Sequence, residues 1–434
     1  MLCAIEQGKI FRAGRNSPPA VTVREPQGMT RRDSGTDSHS LEERRLLSRG
    51  RFPGVLYSPE PPFRALLFGG DIMPDVDLSF MRLAIKLAER GRGRTNPNPV
   101  VGAVIAKGDK IIGVGYHARY GDLHAERAAL GNCTESAEGA TMYVTLEPCC
   151  HRGLQPPCTD AILEAGISRV VVGSDDPNPL VSGQGVKILR ENGVKVETGF
   201  LREECDALNP VFFHYIRTGR PYVILKYAMT LDGKIAARTG ASRWITGEAA
   251  RKRVHQDRNV YSAVMVGAGT VAADDPLLTC RLDNGRNPVR IACDSKLRTS
   301  ADSQLVKTVK EVRTIFATVA PDPERKALFQ DAGCEVWELP ADAGRVDLNA
   351  LMDRLGKEKI DSVIAEGGAA LHWALLDKGL VRRVQAYIAP KLFGGAAAKS
   401  PIGGEGVEIP DGAFRLRNVS MTPLDGDFLI EGDL

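Results

Sequence analysis

Apolar positions along this chain fall into short runs whose period alternates between about three and a half residues and two. From Asp75 onward, Phe80, Leu83, Ala84, Leu87 and Ala88 recur at helical spacing, and Gly91 ends that pattern. Val100–Ile105 and Lys110–Gly115 are β-branched runs around a Lys-Gly-Asp turn, a hairpin signature. Helices are predicted over His124–Leu130, Thr159–Ala165 and Gly185–Glu191, the last two closed by Gly166 and Gly193. Strands are predicted over Thr141–Leu146, Arg169–Val172 and Lys195–Thr198. One hairpin followed by alternating strands and helices specifies a three-layer α/β domain.

A second unit begins near Gly219-Arg220-Pro221. Its predicted strands are Tyr222–Tyr227, Ala263–Val266, Val289–Cys293, Arg313–Ala317, Glu335–Glu338 and Ser362–Ala365. Arg415–Leu429 reads as two antiparallel strands around Thr422–Gly426. No internal repeat relates the two halves, so they are different α/β folds. The expected organisation is a 1–72 extension, a 73–219 domain and a 220–434 domain.

Residues 1–72 lack sustained apolar periodicity and are rich in Arg, Pro, Ser and Gly, with Lys9 the only lysine. Such a stretch buries too little apolar surface to offset its ordering entropy, so a disordered extension is expected, with Met73 as the natural initiator. Asp33, Asp37, Glu42, Glu43 and Glu60 argue against an organelle-targeting segment. A net charge of +3 over 434 residues gives no footprint of a nucleic-acid binder. No apolar run is long enough to span a bilayer. Nine cysteines scattered through a large chain suit a reducing compartment, and a cytoplasmic location is expected.

Chemistry enters with His124-Ala125-Glu126, Glu147-Pro148-Cys149 and Pro157-Cys158. One imidazole and two thiolates leave a fourth tetrahedral position open, the mark of a catalytic zinc. Glu126 sits where it can move protons beside the metal without ligating it. Zinc deaminases carry H-x-E followed by P-C-x-x-C; here Cys149 and Cys158 are nine apart rather than three. Cys150 is an alternative to Cys149, His151 a possible fourth ligand closing a structural site, and a purely structural role for all of them the remaining reading. Asn96 and Asn98, in two successive Asn-Pro pairs, either hold a substrate amide edge or only shape the turn.

The run from Asn96 to Ala103, His124-Ala-Glu, Tyr143 to Cys149 and Pro156 to Thr159 resembles the deaminase half of RibD-type riboflavin-biosynthesis proteins, whose pattern includes the long Cys-to-Cys loop. The resemblance implies a cytidine-deaminase-like fold, zinc on His124, Cys149 and Cys158, and a diaminopyrimidine substrate carrying phosphoribosylamine. It also places Asp175–Pro179 at the pocket border.

The second unit has no G-x-G-x-x-G, which removes a Rossmann reading. It has Lys226–Ala236, Val266–Pro276 and Glu366-Gly-Gly-Ala369, each glycine cluster following an apolar strand. Gly367-Gly368 opens a predicted helix, Ala370–Leu376, whose N-terminus suits a dinucleotide phosphate. These three segments resemble the reductase fused to RibD-type deaminases, which implies a dihydrofolate-reductase-like fold and NADPH as hydride donor. By that resemblance Ala228, Trp244, Thr270, Asp274, Ser295 and Gly368 touch NADP, and Ser242, Arg258, Leu278, Arg281 and Glu366 touch substrate. Arg258 or Arg281 suits bidentate phosphate recognition, Glu366 accepts from a substrate hydroxyl or amine, and Lys226 lies near the reacting carbon. A core aromatic is the plain reading of Trp244, and a solvated helix position that of Arg258. Cys280 and Cys293 read as small buried hydrophobes.

The leading expectation is a bifunctional enzyme acting on a phosphoribosylated pyrimidine, without nucleic acid or membrane, as a homo-oligomer. A nucleic-acid deaminase and a non-enzymatic, metal-stabilised binding protein are the rivals.

Overall fold

The computed structural model describes residues 76–179 and 181–434; the expected extension and the Met73 start lie outside them. A helix over Val76–Glu89 precedes a five-stranded sheet of β1 (Gly102–Lys107), β2 (Lys110–Tyr116), β3 (Thr141–Leu146), β4 (Arg169–Ser174) and β5 (Lys195–Glu197). The order is β2-β1-β3-β4-β5, with β1 antiparallel to β2 and β3, and β3, β4 and β5 parallel. One face packs Ala103, Ile105, Met142, Val144, Val170 and Val172 against helices Ala125–Gly131 and Gln184–Glu191. The other packs Val104, Tyr143 and Val171 against Phe80, Met81 and Ala84. This is the expected three-layer sandwich. Gly102 shows why a residue without Cβ stands at the start of β1: a methyl there would lie 1.9 Å from the Ala84 carbonyl.

The second half is built on nine strands: β6 (Tyr222–Thr230), β7 (Ala263–Gly267), β8 (Val289–Cys293), β9 (Thr314–Thr318), β10 (Glu335–Glu338), β13 (Ser362–Ala365), β14 (Val381–Ala389), β15 (Arg417–Leu424) and β16 (Asp427–Asp433). β11 (Ala341–Asp342) and β12 (Arg345–Val346) form a separate small ribbon. The large sheet runs β10-β9-β8-β7-β13-β6-β14-β16-β15, parallel up to β14 and antiparallel after it. All the predicted strands are present, and the last two meet at a two-residue Asp425-Gly426 turn. Both of its φ angles are positive (49° and 92°), as a type I′ hairpin needs.

One central strand, β14, is absent from the predicted set. Arg382, Arg383 and Gln385 break its apolar pattern, and their role appears only in the fold. Gln385 donates to Glu431 and Arg383 pairs with Asp433, both on the neighbouring β16.

The halves meet through close backbone approaches. Helix Pro210–Thr218 ends at Gly219 (φ 67°), and a methyl on Gly356 would lie 1.8 Å from the Gly219 carbonyl. Tyr215 donates to the Gly356 carbonyl at 2.9 Å. Among the described residues no helix is long and apolar enough to cross a membrane.

Candidate active sites

The first site lies at the C-terminal ends of β3 and β4. His124 is the N-cap residue of the helix Ala125–Gly131, so Glu126 falls in its first turn and points into the same cavity. Cys149 follows β3, and Cys158 opens the helix Cys158–Glu164 behind Pro157. Two backbone N–H groups, of Cys158 and Thr159, donate to the Cys149 carbonyl and close the long intervening loop back on itself. That is how cysteines nine apart in sequence come together.

The His124 Nδ1 atom lies 3.4 Å from Cys149 Sγ and 3.5 Å from Cys158 Sγ. Tetrahedral zinc, with Zn–N about 2.0 Å and Zn–S about 2.3 Å, places such ligand atoms about 3.5 Å apart. The triangle therefore fits the ion. Cys149, His124 and Cys158 form the one cluster of metal-ligating groups found among the described residues, and neither Cys150 nor His151 joins it. Cys149 is pushed down to about 4, first by the hydrogen bond from Cys158 and then by His124, while Cys158 is pushed up. Zinc binds thiolates, so a divalent cation held here would displace the remaining thiol proton.

Glu126 is buried, and burial together with the charge of Cys149 pushes its carboxyl up to about 7. A carboxyl poised near neutrality suits proton transfer in both directions. The surrounding cavity, about 280 Å³, is lined also by Asn98, His117, His151, Asp176, Asn178 and Tyr215. Asn98 and the Asp176–Asn178 segment thus border it as expected; Asn96 does not line it. Burial, then the nearby Glu147 and Cys149 charges, raises Asp176 to about 6, against a backbone hydrogen bond from Asn178.

Two residues here escape sequence reasoning. His117 Nδ1 is 3.0 Å from the Leu123 carbonyl, so it carries the proton, and its Nε2 faces Asn98 Nδ2 at 3.3 Å as acceptor. The Asn98 amide is thereby turned with its carbonyl left for a ligand. Glu147, also buried, accepts from the backbone N–H of Gly183 (3.0 Å) and Val186 (3.2 Å), tying the end of β3 to the start of helix Gln184–Glu191. A lone Glu before Pro-Cys carries no signal of that partner.

The second half holds two adjoining cavities. The larger, about 970 Å³, is lined by Thr270, Asp274, Ser295 and Gly368, with Gly267 and Gly368 capping the helices Ala268–Asp274 and Ala369–Asp377. A methyl on Gly368 would lie 3.2 Å from Thr270 Oγ1, which keeps the helix start open. Arg238, Lys296, Arg298, Arg345 and Lys399 also line it, against Asp274 and Asp294. The basic surplus suits a phosphate-bearing ligand.

The smaller cavity, about 180 Å³, gathers Lys226, Ala228, Ser242, Trp244, Arg258, Arg281 and Glu366. Ser242 lines both cavities and its hydroxyl donates to Asp274. Ala228 and Trp244 stand at this smaller cavity rather than the larger one. Trp244 is 61% exposed under the Arg251 guanidinium, 4.8 Å away, which overturns the core-aromatic reading. Arg258 is equally far from a solvated position: buried, it grips Glu366 and donates to the Thr279 carbonyl. Arg251 and Arg281 also line this cavity, and Arg281 Nε donates to His255 Nε2 at 3.1 Å. Lys226 Nζ is 3.8 Å from Glu366 and 5.5 Å from the centre of the Tyr387 ring, and burial pushes it down.

Leu278 is not among the residues lining the smaller cavity. Its side chain is buried with Val264 and Val266, so a ligand could meet only its main chain, at a φ of 53°. Cys293 packs against the core, as a small hydrophobe would, and also lines the larger cavity.

Residues 74–174 match the cytidine and deoxycytidylate deaminase zinc-binding region, and residues 221–430 the RibD C-terminal domain. The riboflavin biosynthesis protein RibD of Actinobacillus pleuropneumoniae is 54% identical over 355 residues, 82% of this chain and 94% of that protein. The Escherichia coli protein of the same name is 43% identical over 74% of this chain and 89% of its own length. Among solved structures, the Thermotoga maritima diaminohydroxyphosphoribosylaminopyrimidine deaminase/5-amino-6-(5-phosphoribosylamino)uracil reductase superposes with a TM-score of 0.72 at 41% identity, covering 82% of this chain and 98% of that one. Acinetobacter baumannii RibD gives 0.75 at 36% identity, over 83% and 99%. With a deaminase-type metal triangle in one half, a basic nucleotide-sized cavity in the other, and relatives matched nearly end to end, the chain belongs to the RibD family of riboflavin-biosynthesis proteins.

Proposed function

We propose that the first half hydrolytically deaminates 2,5-diamino-6-(5-phosphoribosylamino)pyrimidin-4-one and that the second half reduces the ribosyl group of 5-amino-6-(5-phosphoribosylamino)uracil to ribityl with NADPH. The observation that carries this reading is the His124–Cys149–Cys158 triangle with Glu126 buried beside it. Zinc held by those three side chains supplies, at its open position, a water acidified toward neutral pH. Glu126 takes a proton from the attacking water and delivers it to the pyrimidine ring nitrogen. It then takes the remaining hydroxyl proton of the tetrahedral adduct and passes it to the amino group, which leaves as ammonia while the carbonyl forms. Asn98 accepts from the substrate's amide edge.

In the second half NADPH supplies the hydride. The large cavity holds the phosphates at the helix starts near Gly267 and Gly368 and among the basic residues. Ser242 lines both cavities, so a cofactor held in the large one would be able to present its hydride-donating end to a substrate in the small one. Ala228 and Trp244, which line the small cavity, would then touch that end of the cofactor. Arg281 holds the substrate phosphate, Glu366 its hydroxyls, and Lys226 protonates the opened ribose as it is reduced. The end of helix Pro210–Thr218 and the start of β6 support a domain division at 219/220.

Exposed Val419 and Met421 on the edge strand β15 favour a homo-oligomer, since an open apolar edge invites a second copy. The scattered, unbridged cysteines of the described residues favour a cytoplasmic setting.

Glu126→Gln tests the proposal. Zinc content and reductase rate should stay at wild-type levels while ammonia release drops about 10²–10⁴-fold. Unchanged ammonia release would remove Glu126 from the reaction.

A further inference from the structure

We propose that the reductase half supplies a positioning residue to the deaminase site: Asp361, just ahead of β13, fixes the substrate-side turn through Asn96. The inference rests on the deaminase reading above. Pro97, Asn98 and Pro99 form one wall of the deaminase cavity, facing His124 and Glu126. The turn is closed by Asn98 N donating to the Thr95 carbonyl at 2.8 Å.

Such a turn needs an anchor at each end to hold the Asn98 carbonyl in place. Its far end is held from within the same half: Asn209 accepts from Val100 N at 2.8 Å and donates to Val100 O at 2.9 Å. Its near end is held from the other half. Asn96 Nδ2 donates to Asp361 Oδ2 at 2.7 Å, across 265 residues of sequence. Asp361 is 2% exposed, and its other oxygen accepts from Ser262 Oγ (2.6 Å) and Ser362 Oγ (2.7 Å). The carboxylate is therefore a buried, fixed acceptor rather than a solvated surface group. Close by, the backbones touch so nearly that a methyl on Gly93 would lie 2.6 Å from the Asn259 carbonyl. Asp361 lines neither reductase cavity. Its charge is placed to serve the neighbouring active site.

The test uses the full chain, with both activities assayed on one preparation. Asn96→Asp is isosteric but sets a carboxylate against the carboxylate of Asp361. Deaminase kcat/KM should fall at least tenfold, mostly through KM, with reductase kcat/KM within twofold of wild type. Adding Asp361→Asn restores a donor–acceptor pair of reversed sense, keeps an oxygen for Ser262 and Ser362, and should return deaminase kcat/KM to within threefold. Asn96→Ala, which removes the donor without repulsion, should lose deaminase activity about three- to tenfold. An unaffected deaminase in Asn96→Asp and Asn96→Ala, a parallel fall of both activities, or no rescue by the second substitution would overturn the proposal. Absence of ammonia release in the wild-type chain would instead defeat the deaminase reading itself.

Discussion

Arg258 and Glu366 meet fork to fork, Nε to Oε1 at 2.7 Å and Nη2 to Oε2 at 2.8 Å, with both side chains about nine-tenths buried. Burial alone would raise the Glu366 carboxyl. The Arg258 and Lys226 charges outweigh it and hold the group down to about 2, from an ordinary 4.5. A depressed carboxyl adds stability that is present above the unfolded value and lost as pH falls through the folded one. The reductase half should therefore lose stability between about pH 4.5 and pH 2, and Glu366→Gln should flatten that limb in melts taken across the range. Arg258→Ala leaves the buried Glu366 with only the more distant Lys226 as a cation and without its two-pronged hydrogen bond, and should cost about 3 kcal/mol at pH 7. A melting temperature unmoved by Arg258→Ala would contradict the pair's role.

Cys149 and Cys150 are neighbours in sequence, but only Cys149 joins His124 and Cys158. Cys149→Ser should lose both bound zinc and ammonia release. Cys150→Ser should keep a stoichiometric ion, and the reductase rate should be unaffected in each. Zinc measured by atomic absorption on the three proteins decides the matter; a Cys150→Ser protein without zinc would reverse the ligand assignment.

Much of the first site was legible because its chemistry is local. His124-Ala-Glu sits on one helix turn, and Cys149 and Cys158 each follow a proline at an element boundary. The second site was harder to read. Helix Glu248–Val260 buries Ala250 as its one apolar residue, beside Asp257, so no apolar stripe announces it, yet it carries Arg258 into the cavity. Glu366, its partner, lies 108 residues on. Strand β14 hides behind charged positions whose partners sit on β16. His117 and Glu147 act through a carbonyl and backbone N–H groups, which leave no trace in residue spacing. Periodicity reports which side chains are buried, whereas these residues matter for what they hydrogen-bond across the fold.

Gly185 was legible only as the start of a helix, but it is also the point where that helix touches the metal loop. A methyl there would lie 2.2 Å from the Pro148 carbonyl and 3.3 Å from Glu147 Oε1. Gly185→Ala must push the helix away from the segment carrying Cys149, at a cost of about 1–3 kcal/mol. Zinc affinity, followed by competition with a chromogenic chelator, should weaken about tenfold or more, while the reductase keeps its rate. Wild-type zinc affinity in this variant would show that the helix start does not brace the loop.

Trp244 combines exposure with position: it stands at the mouth of the small cavity, its ring under Arg251 and its neighbour Ser242 shared with the large one. Because the ring packs into no core, Trp244→Ala should leave the melting temperature within about 1 °C, as surface substitutions do. Its loss should be felt in ligand binding. If the nicotinamide crosses from the large cavity into the small one beneath this ring, the KM for NADPH should rise several-fold, with ammonia release untouched. Trp244→Phe, which keeps an aromatic face for Arg251 and the cofactor, should recover most of that loss. A rise confined to the KM for the pyrimidine substrate would move Trp244 from the cofactor's wall to the substrate's.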